Sequence, residues 1–197
     1  MGPLERVTAR FLRNSIVLAS ISSGMIACVR NDSIAAPASA VAQPPPVFRD
    51  PFTLKVRIDR ERYFEAKYEN RVPYVADGDV YLFPGESFGL KVVTSNGEIS
   101  SIEYVKDRSK ADIELDFAQD PKNEGDPGMI LTMTSHLGYD VGFSALMVRP
   151  GDGRIRKTSV LPLRAGLTHF EGWPDPIAQL VLRHLHVHKE PVAPKSK

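Results

Sequence analysis

A single cysteine, Cys28, occurs in the whole chain, so no internal disulfide can brace the fold and packing alone has to hold it together. Long apolar runs are missing as well. The most apolar stretch, Ser15 to Val29 (SIVLASISSGMIACV), falls short of the roughly 20 residues that a helix needs to cross the hydrocarbon of a bilayer. Charge of one sign is also lacking, since 25 Lys and Arg stand against 24 Asp and Glu, a net charge of +1. Nucleic acid rewards clustered cations through counterion release, so this balance argues against a nucleic-acid partner. What is present is ordinary for a globular protein: 42% hydrophobic and 25% charged residues, with 16 prolines and 14 glycines that imply many turns.

The N-terminus reads as a targeting segment. Arg6, Arg10 and Arg13 form a cationic region ahead of the apolar stretch, in the order expected of a signal peptide. The positive flank would stay on the cytoplasmic side while the apolar run inserts. Within that run, Met25-Ile26-Ala27-Cys28 resembles the bacterial lipoprotein signal, in which a small residue precedes the cysteine that is acylated and then becomes the mature N-terminus. The resemblance covers these four residues, and Met25 departs from the Leu, Val or Ile usual at its position. It implies lipidation of Cys28, attachment to a membrane through the lipid alone, and a place in the cell envelope, on the periplasmic side of a membrane. An alternative is cleavage at a small-x-small site, Ala36-Pro37-Ala38 or Ala40-Val41-Ala42, which would release the protein to the periplasm or outside the cell.

Residues 1–28 are thus assigned to the signal segment and 29–51 to a linker. The run NDSIAAPASAVAQPPPVFRDP from Asn31 to Pro51 is rich in Ala and Pro and reads as a semi-extended tether. A single domain of usual size is expected over 52–189. Its first segment alternates, with Phe52, Leu54, Val56 and Ile58 separated by polar residues, the mark of a half-buried strand. Arg60 to Asn70 lacks clean alternation and fits either a helical turn or a second strand. Further strands are expected at Val80 to Phe83, Ser87 to Thr94, Glu98 to Val105, Ala111 to Phe117, Met129 to Ser135, Tyr139 to Val148 and Ile155 to Leu163. Asp77-Gly78 and Asn96-Gly97 supply turns between them, the latter being the strongest short hairpin signal. Short strands at about ten-residue spacing predict an all-β fold, an antiparallel β-sandwich of immunoglobulin-like architecture, with a small barrel as the alternative.

Near the C-terminus, Asp175 has the chemistry of a helix N-cap and Pro176 that of a first helical residue. Ile177, Leu180, Val181 and Leu185 then share one helical face, so a short helix over 175–188 is expected ahead of a last strand, although Leu180 and Leu182 also fit alternation. Residues 190–197 are expected to be a disordered tail.

Chemistry-bearing residues are few. His184, His186 and His188 (HLHVH) are candidate metal ligands, because imidazole is the commonest one. On a helix His184 and His188 would be i, i+4 neighbours; on a strand the outer two stand too far apart to close on one ion. Asp112, Glu114 and Asp116 share one strand face and are expected to be solvated, paired across strands with Lys55 and Arg57. Asp120, Asn123, Glu124 and Asp126 miss the EF-hand order. Trp173 is expected to plug one end of the core. No catalytic residue and no cofactor are assigned: Ser135, Ser144 or Ser159 near His136, His169 and Glu171 are residue types found in any chain rather than a triad. The expectation is an exported envelope module that binds another envelope component or supports an assembly, with metal handling or hydrolysis as the alternatives.

Overall fold

A computed structural model describes residues 45–121, 125 and 127–189. The signal segment, Cys28, most of the linker, three residues of the 120–126 loop's acidic set (Asn123, Glu124, Asp126) and the C-terminal tail lie outside the described residues.

Among the described residues twelve strands follow one another: β1 (Phe52–Arg57), β2 (Tyr63–Tyr68), β3 (Val75–Ala76), β4 (Asp79–Leu82), β5 (Glu86–Ser95), β6 (Glu98–Val105), β7 (Ile113–Gln119), β8 (Met129–Ser135), β9 (Val141–Val148), β10 (Ile155–Thr158), β11 (Thr168–Trp173) and β12 (Gln179–Val187). A one-turn 3₁₀ helix, Arg108–Lys110, joins β6 to β7 and is capped by the Asp107 carboxylate. Two antiparallel sheets of five strands run β10-β9-β12-β4-β3 and β11-β8-β7-β5-β6. They form a sandwich, with five strands on each side where an immunoglobulin constant domain has four and three.

Alternation sets the two faces. On β7, Ile113, Leu115 and Phe117 are buried while Glu114, Asp116 and Ala118 are not; β8 does the same with Met129, Leu131, Met133 and Ser135. These side chains meet Val80, Leu82, Val141, Ala145, Leu180 and Leu182 of the facing sheet in one core. Each fully buried Leu, Ile or Phe contributes about 1.5–3 kcal/mol, and that burial is what packing supplies in place of a disulfide. Trp173 closes one end as expected: it is 9% exposed, meets Phe117 edge-on at 6.3 Å and donates its indole N–H to Thr158 at 2.7 Å. Gly89 is required by a close approach, since a Cβ there would stand 2.4 Å from that of Ala111.

The segment left open at Arg60 to Asn70 is a strand. β1 and β2 form a separate two-stranded ribbon with Phe52 opposite Tyr68 and Arg57 opposite Tyr63, and it carries a smaller core of Leu54, Val56, Phe64, Phe83 and Ala178. The Gln119 side chain docks it onto the sandwich by accepting from the Arg57 amide at 2.9 Å and donating to the Arg57 carbonyl at 2.8 Å.

Two expectations are corrected. Residues 175–188 contain no helix; β12 is a strand between β9 and β4, with Leu180 and Leu182 fully or almost fully buried. Its periodicity misleads because the register against β9 shifts between Arg183 and His186, where His184 adopts a φ of 54°. The extra residue reverses the faces: Leu180 and Leu182 point inward before it, and Leu185 packs on the core after it. With the inward set broken between Leu182 and Leu185, the apolar residues Ile177, Leu180, Val181 and Leu185 fall at helical spacing although the backbone is a strand. The second correction concerns Lys55 and Arg57, which do not pair with the β7 carboxylates because the only strand that β1 pairs with is β2. Lys91 holds Asp112 at 2.8 Å, while Arg108 reaches Glu114 at 2.7 Å and Asp116 at 3.9 Å. The face is polar and ion-paired, with different partners.

Candidate functional site

Strands β3 and β6 are the terminal strands of their sheets on one side of the sandwich. β3 reverses into β4 through Asp77-Gly78, whose φ angles of 53° and 77° are those of a two-residue type I′ turn, the form that matches strand twist. Asn96-Gly97 (54° and 76°) turns β5 into β6 in the same way. The hairpin tip at Asp77 therefore stands beside β6.

The chain enters on this side. Arg49 falls in the Ala/Pro-rich stretch, yet its side chain is only 4% exposed. Its guanidinium bonds both Glu86 carboxylate oxygens and donates to the carbonyls of Pro73 (2.5 Å) and Tyr81 (2.6 Å). It also lies 3.8 Å over the Tyr74 ring, which stacks on Tyr104 of β6 at 4.0 Å. Main-chain bonds from Arg49 to Val72 and from Tyr74 to Val47, 2.9 Å each, fix Val47–Arg49 alongside the strand that leads to β3.

Between these parts lies a cleft of about 310 Å³ with Val75, Ile102 and Tyr104 at its base, Pro45 to Val47 on one wall, and Asp77 and Glu103 at its rim. A second depression of about 200 Å³ shares Asp77, Gly78 and Ile102 and continues to Arg183 and His184. Burial, helped by Tyr74, pushes the Tyr104 phenol above its ordinary pKa. The charge of the cleft is negative. No Lys or Arg lines the larger part, and Arg183 in the smaller part is bonded to Asp79 at 2.7 Å. From Ile102 to Val105, β6 pairs with β5 alone, so its outer edge carries no backbone partner among the described residues.

The histidines are placed on the exposed side of β12, at and beyond its bulge. His184 Nδ1 lies 3.2 Å from the Ser144 hydroxyl. His186 Nδ1 donates to the carbonyl of His184 at 2.8 Å, and its ring covers Gly142, where a Cβ would stand 2.4 Å from Nε2. The rings of His186 and His188 are 6.4 Å apart. Among the described residues no three His, Cys, Asp or Glu side chains are grouped as a cation would need.

The hydroxyl and imidazole groups are similarly dispersed. Ser135 is buried and accepts from the Leu137 amide at 3.2 Å; His136 bonds Glu114 at 2.8 Å; His169 bonds Glu171 at 2.9 Å, whose carboxylate also holds the Leu161 amide. Gly85 to Gly89 (GESFG) spells the G-x-S-x-G of a serine elbow, a string the sequence expectations wrongly took to be absent. An elbow needs a strand-to-helix turn. Here Ser87 lies within β5, opposite Asp116, with its hydroxyl accepting from Arg108 at 2.5 Å.

Sequence reasoning missed the residues that build the cleft. Asp77-Gly78 was legible as a turn, but nothing in the local pattern marks β6 as an outermost strand or Arg49 as a buried cation. No family model matches the chain, and no curated protein or solved structure matches it either. What fold and geometry define is an antiparallel β-sandwich with an acidic cleft beside a strand edge that is free among the described residues.

Proposed function

We propose that the chain is an exported cell-envelope protein, held on a membrane by a lipid on Cys28, that works as a non-catalytic binding or assembly module. The observation that carries the binding part is the cleft beside β6, where apolar side chains, two carboxylates and an unpaired strand edge meet. Exported sandwiches of immunoglobulin-like architecture present edge strands in this way, and that analogy of architecture supports the reading. The envelope address rests on the signal-like segment and its lipobox-like quartet.

Wild type and Cys28→Ser, expressed in a bacterial host, are to be compared for palmitate incorporation and membrane fractionation. Label and membrane association in the wild type, lost in the variant, are expected. Equal fractionation without label in either removes the lipid anchor. A photo-crosslinking residue at Ala76, in the cleft wall, should capture an envelope component that the same probe at Arg156 on β10 does not; identical capture at both positions removes the binding role from this side.

A further inference from the structure

We propose that the cleft takes an extended, cationic peptide segment of a partner protein, added as a strand to the outer edge of β6 at Ile102–Val105. This rests on the binding role proposed above and adds the chemistry of the partner. A strand edge offers N–H and C=O groups at fixed spacing, and an incoming chain satisfies them by β-addition whatever its sequence. Selectivity then comes from the side chains that border the edge. At the base of the cleft, Val75 and Ile102 are almost fully buried and Tyr104 is half-buried on Tyr74, so every second residue of an added strand would meet an apolar surface.

The rim sets the sign of charge. Asp77 at the hairpin tip and Glu103 on β6 both border the cleft, and among the described residues neither forms an ion pair, Lys91 opposite Glu103 being held by Asp112. The third carboxylate nearby, Asp79, is neutralised by Arg183. A peptide alternating Lys or Arg with an apolar residue matches both features, its apolar side chains toward Val75 and Ile102 and its cations toward Asp77 and Glu103. An acidic peptide would bring like charges to the same rim.

The probes are three fluorescent heptapeptides read by polarisation against the full chain. One alternates Lys and Val, a second alternates Glu and Val, and a third keeps the lysines of the first but replaces the valines with proline, which removes every second amide and fixes φ away from the strand value. The Lys-Val peptide should bind in a salt-sensitive manner, and hydrogen exchange of those Ile102–Val105 amides that point away from β5 should slow when it does. Neither control should bind. The double variant Asp77→Asn, Glu103→Gln removes both charges and keeps the shapes, and Asn accommodates the positive φ of position 77 as Asp does. It should weaken binding about tenfold, close to 1.4 kcal/mol.

Absence of Lys-Val binding up to millimolar peptide overturns the proposal, as does equal binding by the double variant or by the proline peptide. Slow exchange, before any peptide is added, of those Ile102–Val105 amides that point away from β5 also overturns it, because the edge is then covered by another part of the chain or by a second copy. The address is tested separately. Loss of palmitate label leaves the peptide result untouched, and failure of the peptide leaves the lipid result untouched.

Discussion

Arg49 is where removal of one side chain should cost the most. Its guanidinium is almost fully enclosed, bonds Glu86 through two nitrogens, caps the Pro73 and Tyr81 carbonyls and covers the Tyr74 ring. Glu86 in turn accepts from the Phe83 amide at 2.8 Å. Replacement by Met keeps the apolar volume but leaves a carboxylate and two carbonyls without their donor. Breaking a buried pair from one side costs about 3–5 kcal/mol. Glu86 keeps some exposure, at 19% of its side chain, which argues for the lower end, about 3 kcal/mol. For a domain of this size that is a fall of roughly 6–12 °C in Tm. Arg49→Lys should recover little, because a single ammonium cannot reproduce a planar fork of five donors. Urea unfolding of Arg49→Met, Glu86→Gln and the double variant gives the coupling directly. The double variant should be more stable than the sum of the single effects predicts. A cost of Arg49→Met within about 0.5 kcal/mol, the range of ordinary surface changes, would refute the description of Arg49 as a structural anchor.

Two further outcomes test other parts of the fold. His184→Gly should leave stability unchanged or raise it by a few tenths to about 1 kcal/mol, since Gly takes a φ of 54° without the penalty of a side chain, whereas His184→Val should cost about 1–2 kcal/mol; equal effects of the two would deny the bulge. The Glu114 carboxyl is held below its ordinary range, first by the His136 imidazole and then by the Arg108 guanidinium. A carboxyl depressed in the folded state adds stability above its unfolded value of about 4.3 and loses it as pH falls through the folded value. Carboxyl NMR titration should therefore find Glu114 low and Arg108→Met should move it up; an unchanged titration in the variant would exclude the Arg108 contribution.

Much of the β architecture was legible because alternation is a local property. Ile113, Leu115 and Phe117 declare their inward face without reference to any other strand, and Asp77-Gly78 and Asn96-Gly97 declare their turns by tolerating positive φ. Neighbours are another matter. Lys55 and Arg57 looked suited to the β7 carboxylates, but the pairing of strands depends on which loops close, and β1 went to β2 instead. Arg49 was hidden by its company: flanked by Pro44, Pro45, Pro46 and Pro51, it read as tether, and its carboxylate partner lies 37 residues away. The cleft was illegible for the same reason, since being at the edge of a sheet is a property of the whole topology.

The bulge at His184 also bears on how the central strand finds its place. A regularly alternating strand keeps every side chain on its proper face after sliding by two residues, so hydrophobic patterning alone leaves such slips nearly degenerate. β12 has no such freedom along its length. Its inward set changes parity between Leu182 and Leu185, and the extra residue must lie between the pairs Arg183 with Ser144 and His186 with Gly142. Sliding by two would leave an apolar residue outside or a histidine inside near the bulge, and the His186 ring would lose the space that Gly142 leaves for it. The irregular residue thus acts as an index mark, giving β12 one alignment on β9 where a perfect alternation would have offered several.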